Sequence, residues 1–361
     1  MKKIRFNPIK SLVYIVVLSI LTTACTAISP TSSPTISGTK ELTVMVHDSF
    51  AASDEVIQDF EDEHQAKIVF LPSGDTGTAL NKAILSKGNP LADVFYGVDN
   101  TFLSRALDEG IFDAYSSPVL TEIPEEFKLD SNNYALPVDY GDVCLNYDRA
   151  YFQEKGISPP MSLEDLSKPK YKSLLVVQNP ATSSPGLAFL LTTIAQYGED
   201  GYLDYWKKLK ENDVLIVNDW ETAYYTEFSG SSGKGPRPIV VSYDSSPAFE
   251  VIYAETPITE PSTAAIVTDG TCFRQTEFVG ILKGGKNREL AEKWVDFMLT
   301  PKFQEDMPLQ MFVFPVNPHA KLDEVFVKYL KLPEKTAYIS PQAIAQNRER
   351  WLQTWTEAIL R

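Results

Sequence analysis

Aromatic side chains follow two apolar, strand-like segments of this 361-residue chain. Trp220 comes shortly after the segment Val214 to Val217, while Tyr243 ends the segment Pro238 to Tyr243 and Phe249 follows it. Aromatic faces stack on flat rings and attract organic cations. Trp and Tyr are also common in protein cores, so each ring alone could be structural. Their shared position after strands favours a ligand-binding hypothesis.

A candidate anion site precedes a strongly apolar helix, in the segment Asn179 to Gly186 (NPATSSPG). We predict Ser184 as the N-cap and Pro185 as the first helical residue. Backbone N–H groups at such a helix start can bind an anion, with the hydroxyls of Ser183 and Ser184 beside them. A well-capped helix without a ligand explains the same residues.

Catalytic patterns are missing from the sequence or poorly placed in it. There is no HExxH or CxxC pattern, and the segment Gly230 to Gly235 (GSSGKG) has the wrong spacing for a P-loop. Ser231 and Lys234 match S-x-x-K only within a turn-rich segment. Cys144 could pair with a histidine as a nucleophile, but its apolar surroundings favour a buried structural cysteine. We therefore predict a binding protein and not an enzyme, with no cofactor.

Strands and helices alternate around these residues. Predicted strands at Glu41 to Val46, Lys67 to Phe70 and Ala92 to Tyr96 are separated by helical patterns, and a second such series starts at Leu174. This alternation predicts a parallel sheet covered by helices. Ligands of such sheets bind at the carboxyl ends of the strands.

Two long extended segments, Tyr134 to Tyr147 and Thr263 to Ile281, interrupt the alternation. We interpret them as crossovers, which predicts an α/β fold of two Rossmann-like lobes joined by a two-strand hinge. Such lobes close on a ligand as nearly rigid bodies. The predicted lobes are discontinuous: lobe 1 comprises residues 41–138 and 270–318, and lobe 2 comprises residues 139–269 and 319–361 with the C-terminal helices.

The first 25 residues have the pattern of a bacterial export signal, with basic residues before the apolar stretch Ser11 to Leu21. This stretch is shorter than the about 20 apolar residues of a membrane span. Small residues before Cys25 resemble a lipobox, although Thr22 replaces the usual Leu; ordinary cleavage is the alternative. Residues 26–40 are rich in Ser, Thr and Pro, which predicts a disordered tether. We expect a lipid-anchored protein in the periplasm or on the outer face of the cell membrane.

The formal net charge of the chain is −15. This charge argues against nucleic acid and anionic membrane surfaces as ligands, since both require clustered Lys and Arg. It mildly favours a cationic ligand. An oxidising exterior would permit a disulfide between Cys144 and Cys272, but the sequence leaves that pairing open. We expect a monomer.

Several segments together resemble the periplasmic thiamine-binding proteins of ABC importers. They follow the order of that family along nearly the whole mature chain: Val46–Phe50 (VHDSF), Gly97–Asn100 (GVDN), Pro137–Gly141 (PVDYG), Asn179–Leu187 (NPATSSPGL), Ser242–Phe249 (SYDSSPAF), Phe297–Phe303 (FMLTPKF), Phe314–Val316 (FPV) and Gln346–Trp355 (QNRERWLQTW). The resemblance implies a type II periplasmic-binding-protein fold. It also implies that thiamine or a thiamine phosphate binds between the lobes and is delivered to an ABC permease.

The resemblance also implies roles for individual residues. Trp220, Tyr243 and Phe249 match aromatic residues that line the cleft in the family. Ser183 matches a serine near the phosphate, and Asp75 stands where the family has an acidic residue close to the ligand.

Two positions depart from the family pattern, because Phe249 replaces a usual Tyr and Phe312 stands where the family has a Trp. Both changes keep a stacking face but lose a polar N–H or O–H group. A thiazolium cation would be held by aromatic faces and by a carboxylate such as Asp75 or Asp99, with His47 nearby. Each cation–aromatic contact contributes roughly 0.5–2 kcal/mol.

Ferric-iron binding is the alternative function. Tyr224 and Tyr225 are similar to the paired tyrosines of ferric-ion-binding proteins with the same fold, and His47 could complete such a site. Consecutive residues of a helix diverge by about 100°. The tyrosine pair would therefore converge only in a loop or at the start of a helix.

Overall fold

Strands and helices alternate along the computed structural model, which describes residues 40–254 and 256–361. The strands are β1 (Lys40–Val46), β2 (Ala66–Pro72), β3 (Val94–Asp99), β4 (Phe112–Asp113), β5 (Leu136–Asp148), β6 (Leu175–Gln178), β7 (Leu215–Val217), β8 (Ile239–Tyr243), β9 (Thr263–Ile266), β10 (Phe273–Leu282) and β11 (Phe314–Pro315). The predicted leader with Cys25, and the tether up to residue 39, lie outside the described residues.

The α-helices cover the faces of the sheet. They are α1 (Asp54–His64), α2 (Thr76–Leu85), α3 (Leu103–Asp108), α4 (Arg149–Lys155), α5 (Ser184–Glu211), α6 (Ser246–Ile252), α7 (Arg288–Met298), α8 (Pro301–Met311), α9 (Glu324–Tyr329) and α10 (Pro341–Trp355). Two π-helical segments span Thr222–Glu227 and Thr356–Leu360. Short 3₁₀ helices span Pro118–Glu122, Glu125–Phe127, Glu164–Ser167 and Pro169–Tyr171. No described helix is both long enough and apolar enough to cross a membrane.

The sheet has the strand order β2-β1-β3-β10-β5-β8-β6-β7. Strands β2, β1 and β3 are parallel to one another, and so are β8, β6 and β7. Between these two groups, β10 and β5 pair antiparallel to each other and to their outer neighbours. The two parallel groups confirm the predicted βα series. The two segments predicted as crossovers cover all but the last residue of each central strand, β5 and β10. The lobe boundaries themselves stay a prediction.

Strand β1 shows how the sheet buries both of its faces. Leu42, Val44 and Val46 are buried in one apolar cluster, together with Trp294 of α7, while Met45 points into the other cluster. Successive side chains of a strand point to opposite faces, so an apolar run such as LTVMV is typical of a strand covered by helices on both sides.

Helix α5 begins one residue earlier than the sequence predicts, with Ser183 and not Ser184 as its N-cap. Pro185 is therefore the second helical residue, a position that also tolerates a missing N–H group. Helix α5 is interrupted at Gly198, whose φ of 72° and ψ of 173° are not helical. Glycine adopts this conformation because it has no Cβ.

The C-terminal helix α10 contacts more of the molecule than predicted. Trp355 packs edge-to-face on Trp206 of α5, with ring centroids 5.2 Å apart. Arg348 lies over the ring of Phe102, beside α3, at 5.1 Å. The helix therefore packs against the predicted second lobe, as expected, and also reaches an element assigned to the first.

Cys144 and Cys272 form a disulfide. Cys144 lies on β5 and Cys272 immediately precedes β10, so the bond joins the two central strands of the sheet. A disulfide-bonded sulfur is not a thiolate, which agrees with the structural role favoured for Cys144.

Candidate functional site

A cavity of about 240 Å³ opens where strands of both parallel groups end. His47 follows β1, Trp220 follows β7, and Tyr243 is the last residue of β8. Thr76 and Ser184 contribute the first residues of α2 and α5 to the wall. These positions are the carboxyl ends of the parallel strands, where α/β sheets bind ligands.

Five aromatic residues line the cavity: Phe50, Trp220, Tyr225, Tyr243 and Phe312. The Trp220 ring centroid is 6.2 Å from Phe312 and 6.5 Å from Tyr243. On its other side Trp220 stacks on Tyr224, at 5.0 Å and 14°. The indole N–H of Trp220 donates to the Ser242 hydroxyl at 3.0 Å. The Trp220 ring is therefore held in place before any ligand binds.

Four residues with carboxyl groups also line the cavity: Asp48, Asp75, Glu221 and Glu277. Its lining, taken from the described residues, contains no lysine or arginine. Burial lowers the pKa of His47 to about 4, so this imidazole is neutral at pH 7. The cavity is therefore acidic, and its electrostatic potential favours a cation.

Asp75 connects two walls of the cavity. Its Oδ1 accepts a hydrogen bond from the Thr76 N–H at 2.8 Å, and its Oδ2 accepts one from the Trp220 N–H at 3.2 Å. Burial raises the pKa of Asp75 to about 6, although the hydrogen bonds from the Thr76 and Trp220 N–H groups act against this rise. Asp75 therefore caps α2 and positions the backbone of Trp220.

Glu277 belongs to a buried acidic cluster that the sequence analysis missed. The Tyr96 hydroxyl lies 2.5 Å from Asp139 Oδ2 and 3.2 Å from Glu277 Oε2, and His47 Nε2 lies 3.7 Å from Glu277 Oε1. Burial raises the pKa of Asp139 to about 7 and that of Glu277 well above its ordinary value. The available signal was an acidic residue inside each of the two long extended segments, Asp139 in the first and Glu277 in the second.

Three predicted ligand contacts lie outside the lining of this cavity. Phe249 lines a neighbouring hollow of about 560 Å³, on the far side of Phe312. Ser183 is buried at the start of α5. Asp99 is buried and its Oδ1 accepts hydrogen bonds from the N–H groups of Thr101 and Phe102 at 2.9 and 3.1 Å. Asp99 therefore shapes the turn after β3.

The tyrosine pair of the iron hypothesis points in two directions. Tyr224 is 1% exposed and its hydroxyl donates to Glu250 at 3.1 Å, whereas Tyr225 is 45% exposed and lines the cavity. Their rings are nearly perpendicular, at 88°. Within residues 40–254 and 256–361, no three or more His, Cys, Asp or Glu residues are grouped to hold a metal ion.

Gly77 allows α2 to approach the segment before α5, and this contact supports the cavity wall. Its N–H donates to the Thr182 carbonyl at 3.0 Å, and a Cβ added there would lie 2.7 Å from the Ala181 carbonyl oxygen. We expect Gly77→Ala to push these segments apart, lowering the melting temperature and weakening ligand binding severalfold. Thermal unfolding and ligand titration measure both effects. Gly88→Ala is the matched control, because a Cβ there meets no atom within 4 Å; equal behaviour of the two variants would contradict this prediction.

Proteins of known function cover nearly the same length of chain. The thiamine-binding periplasmic protein of Brucella abortus is 30% identical over 334 residues, which are 91% of this chain and 95% of that protein. The protein of the same name from Salmonella typhimurium is 32% identical over 327 residues, covering 89% and 94%. A solved periplasmic thiamin binding protein superposes with a TM-score of 0.77 at 28% identity, covering 90% of this chain and 97% of that one.

A family profile described as bacterial extracellular solute-binding protein matches residues 89–336. Proteins of this family bind small molecules and deliver them to ABC permeases, and the named relatives are periplasmic. The sheet topology, the cavity at the strand ends and these similarities agree. The chain therefore belongs to the bacterial extracellular solute-binding protein family of ABC importers and has the type II periplasmic-binding-protein fold.

Proposed function

We propose that this protein binds thiamine in the cavity and delivers it to an ABC permease without changing it chemically. One observation carries the proposal: the lining combines the rings of five Phe, Tyr and Trp residues and four carboxyl groups with no lysine or arginine from the described chain. Thiamine has a flat, permanently positive thiazolium ring, which suits both aromatic faces and an acidic wall. The names of the relatives support the same ligand.

The thiazolium ring would stack on the face of Trp220 that is turned to the cavity, which is the face opposite Tyr224. Asp75 and Glu277 would supply negative charge on either side of that ring. These electrostatic contacts strengthen when water is excluded from the cavity. Tyr243 and Phe312 would complete the apolar enclosure.

Thiamine fits this cavity better than its phosphates do. Ser184 brings the first turn of α5 to the wall, and the N–H groups of such a turn could bind a phosphate. Four carboxyl groups surround the same space, however, and they would repel an anion. We therefore expect thiamine monophosphate to bind about tenfold more weakly than thiamine, a difference of about 1.4 kcal/mol.

The N-terminal pattern extends the proposal to the site of action. We infer that residues 1–25 direct export and that Cys25 is lipidated, which would keep the protein near its permease. Metabolic labelling with a fatty acid tests this. We expect label in the natural chain and none in Cys25→Ala; equal labelling would exclude a lipid on this cysteine.

Isothermal titration of the exported, purified protein tests the proposed ligand. We expect thiamine to bind with a Kd below about 1 μM, equivalent to about 8 kcal/mol. Thiamine monophosphate should bind more weakly, and ferric citrate should give no saturable heat. Saturation by iron with a visible tyrosinate absorbance, and no heat with thiamine, would overturn the ligand and leave the family membership intact.

A further inference from the structure

The floor of the cavity carries a group of four titratable residues that has no basic partner. We call His47, Tyr96, Asp139 and Glu277 the acid floor; all four are buried, and Glu277 and His47 reach the cavity. The two carboxyl groups are bridged by the Tyr96 hydroxyl, at 2.5 and 3.2 Å. One hydroxyl has one proton, so it can donate to only one carboxyl group at a time.

Strand pairing in the sheet places the carboxyl groups of this cluster next to one another. Glu277 of β10 is in register with Asp139 of β5 on one side and with Asp99 of β3 on the other. Asp139 Oδ1 and His47 Nε2 have no hydrogen-bond partner among the described residues. Two adjacent buried carboxyl groups do not both ionise readily, so such a pair retains a proton.

The other charged or titratable groups around the acid floor do not neutralise it. Asp99 of β3 and Tyr243 of β8 act on Glu277, and each is neutral or negative; Asp75, at the start of α2, acts on Tyr243. Asp48 acts on His47. The guanidinium of Arg348 acts on Asp99 from α10, and neither Asp139 nor Glu277 has an ion pair with a Lys or Arg in the described chain.

We propose that the acid floor is a cation subsite, and that the positive group of an organic cation replaces the proton shared by Asp139 and Glu277 in the empty protein. The proton passes to the solvent, and the ligand cation supplies the positive charge that the two carboxylates lack. This inference depends on the proposed function in one respect only: thiamine is the organic cation used to test it.

The exchange of the proton for the ligand cation determines how the ligand affinity changes with pH. Burial raises the pKa of both carboxyl groups, so the empty protein holds the extra proton near neutral pH. The bound protein releases it, so raising the pH favours binding until the empty pair has ionised. One released proton changes the affinity by about tenfold per pH unit.

Calorimetric titration with thiamine in buffers of different ionisation enthalpy counts the released protons. At pH 7.5 Asp75, with a pKa of about 6, is already ionised in the empty protein and contributes little. We expect release of about one proton per thiamine by the natural protein, and of less than about 0.3 by Glu277→Gln. Glu334→Gln is the control, since Glu334 is an exposed carboxyl outside the cavity lining and should leave the count unchanged. Binding heat that is independent of the buffer would overturn the subsite.

A second measurement needs no ligand and therefore separates this inference from the choice of thiamine. A carboxyl whose pKa is raised by folding stabilises the protein less as the pH rises from its unfolded pKa through its folded pKa. The melting temperature of the natural protein should therefore fall relative to that of Glu277→Gln between pH 5 and 8. A constant difference between the two proteins across this range would overturn the shared proton, even if thiamine did not bind.

Discussion

Trp220→Ala should weaken thiamine binding by roughly thirtyfold, a loss of about 2 kcal/mol for a desolvated cation–aromatic contact. Trp220 is the largest ring of the cavity, and it is held in place by Tyr224 behind it and by the Ser242 hydroxyl at its N–H. Its removal takes away both the stacking face and the apolar surface that excludes water. Titration of the folded variant with thiamine measures the loss.

Two further variants separate this effect from a general loss of stability. Trp220→Phe keeps an aromatic face and should retain most of the affinity. Trp355→Ala removes a buried tryptophan outside the cavity lining, so it should lower the melting temperature and leave the affinity of the folded protein unchanged. A Trp220→Ala variant that binds thiamine as tightly as the natural protein would contradict the stacked-cation site.

Replacing both Cys144 and Cys272 with alanine should lower the free energy of unfolding by about 4–5 kcal/mol. The two residues are 128 positions apart in sequence, and a disulfide that closes so long a loop strongly restricts the unfolded chain. The bond also joins β5 to the residue before β10, at the centre of the sheet. Denaturant unfolding of both proteins measures the difference.

Ligand binding provides the control for the disulfide prediction. Neither cysteine lines the cavity, so the double variant should bind thiamine normally at temperatures where it is folded. Adding a reductant should destabilise the natural protein and leave the double variant unaffected. A change of less than about 1 kcal/mol in the free energy of unfolding would contradict a stabilising role for this bond.

Strand ends were the most informative feature of the sequence. Trp220 and Tyr243 follow or end apolar segments, and parallel strands bring such positions to the same edge of a sheet. Asp75, carried over from the family resemblance, also lies at this edge, since it caps the helix that follows β2. These three residues line the cavity, although their contact with a ligand stays a prediction.

The acid floor was not predictable from local patterns. Glu277, Asp139 and Tyr96 lie on three different strands, and they meet only because β10 pairs with both β3 and β5. Single-strand periodicity gives no information on which strands become neighbours across a crossover. Acidic residues within the two long extended segments were a visible signal, but their partners depended on the topology.

Other differences arise from backbone geometry that the sequence did not specify. Tyr224 and Tyr225 lie on a π-helical segment, where one ring turns under Trp220 and the other faces the cavity. Phe249 lies one turn into α6. This position places it against Phe312 in the neighbouring hollow and outside the lining of the cavity. Of the two residues that depart from the family pattern, Phe249 therefore lines only the neighbouring hollow, and Phe312 lines both the hollow and the cavity.

A crystal structure of the protein grown with thiamine would locate the ligand directly. We expect the thiazolium ring against Trp220, with Asp75 and Glu277 as the nearest carboxyl groups and no lysine or arginine in contact. Thiamine bound only in the hollow lined by Phe249, or a cavity that binds iron through Tyr225 and His47 in place of thiamine, would contradict it.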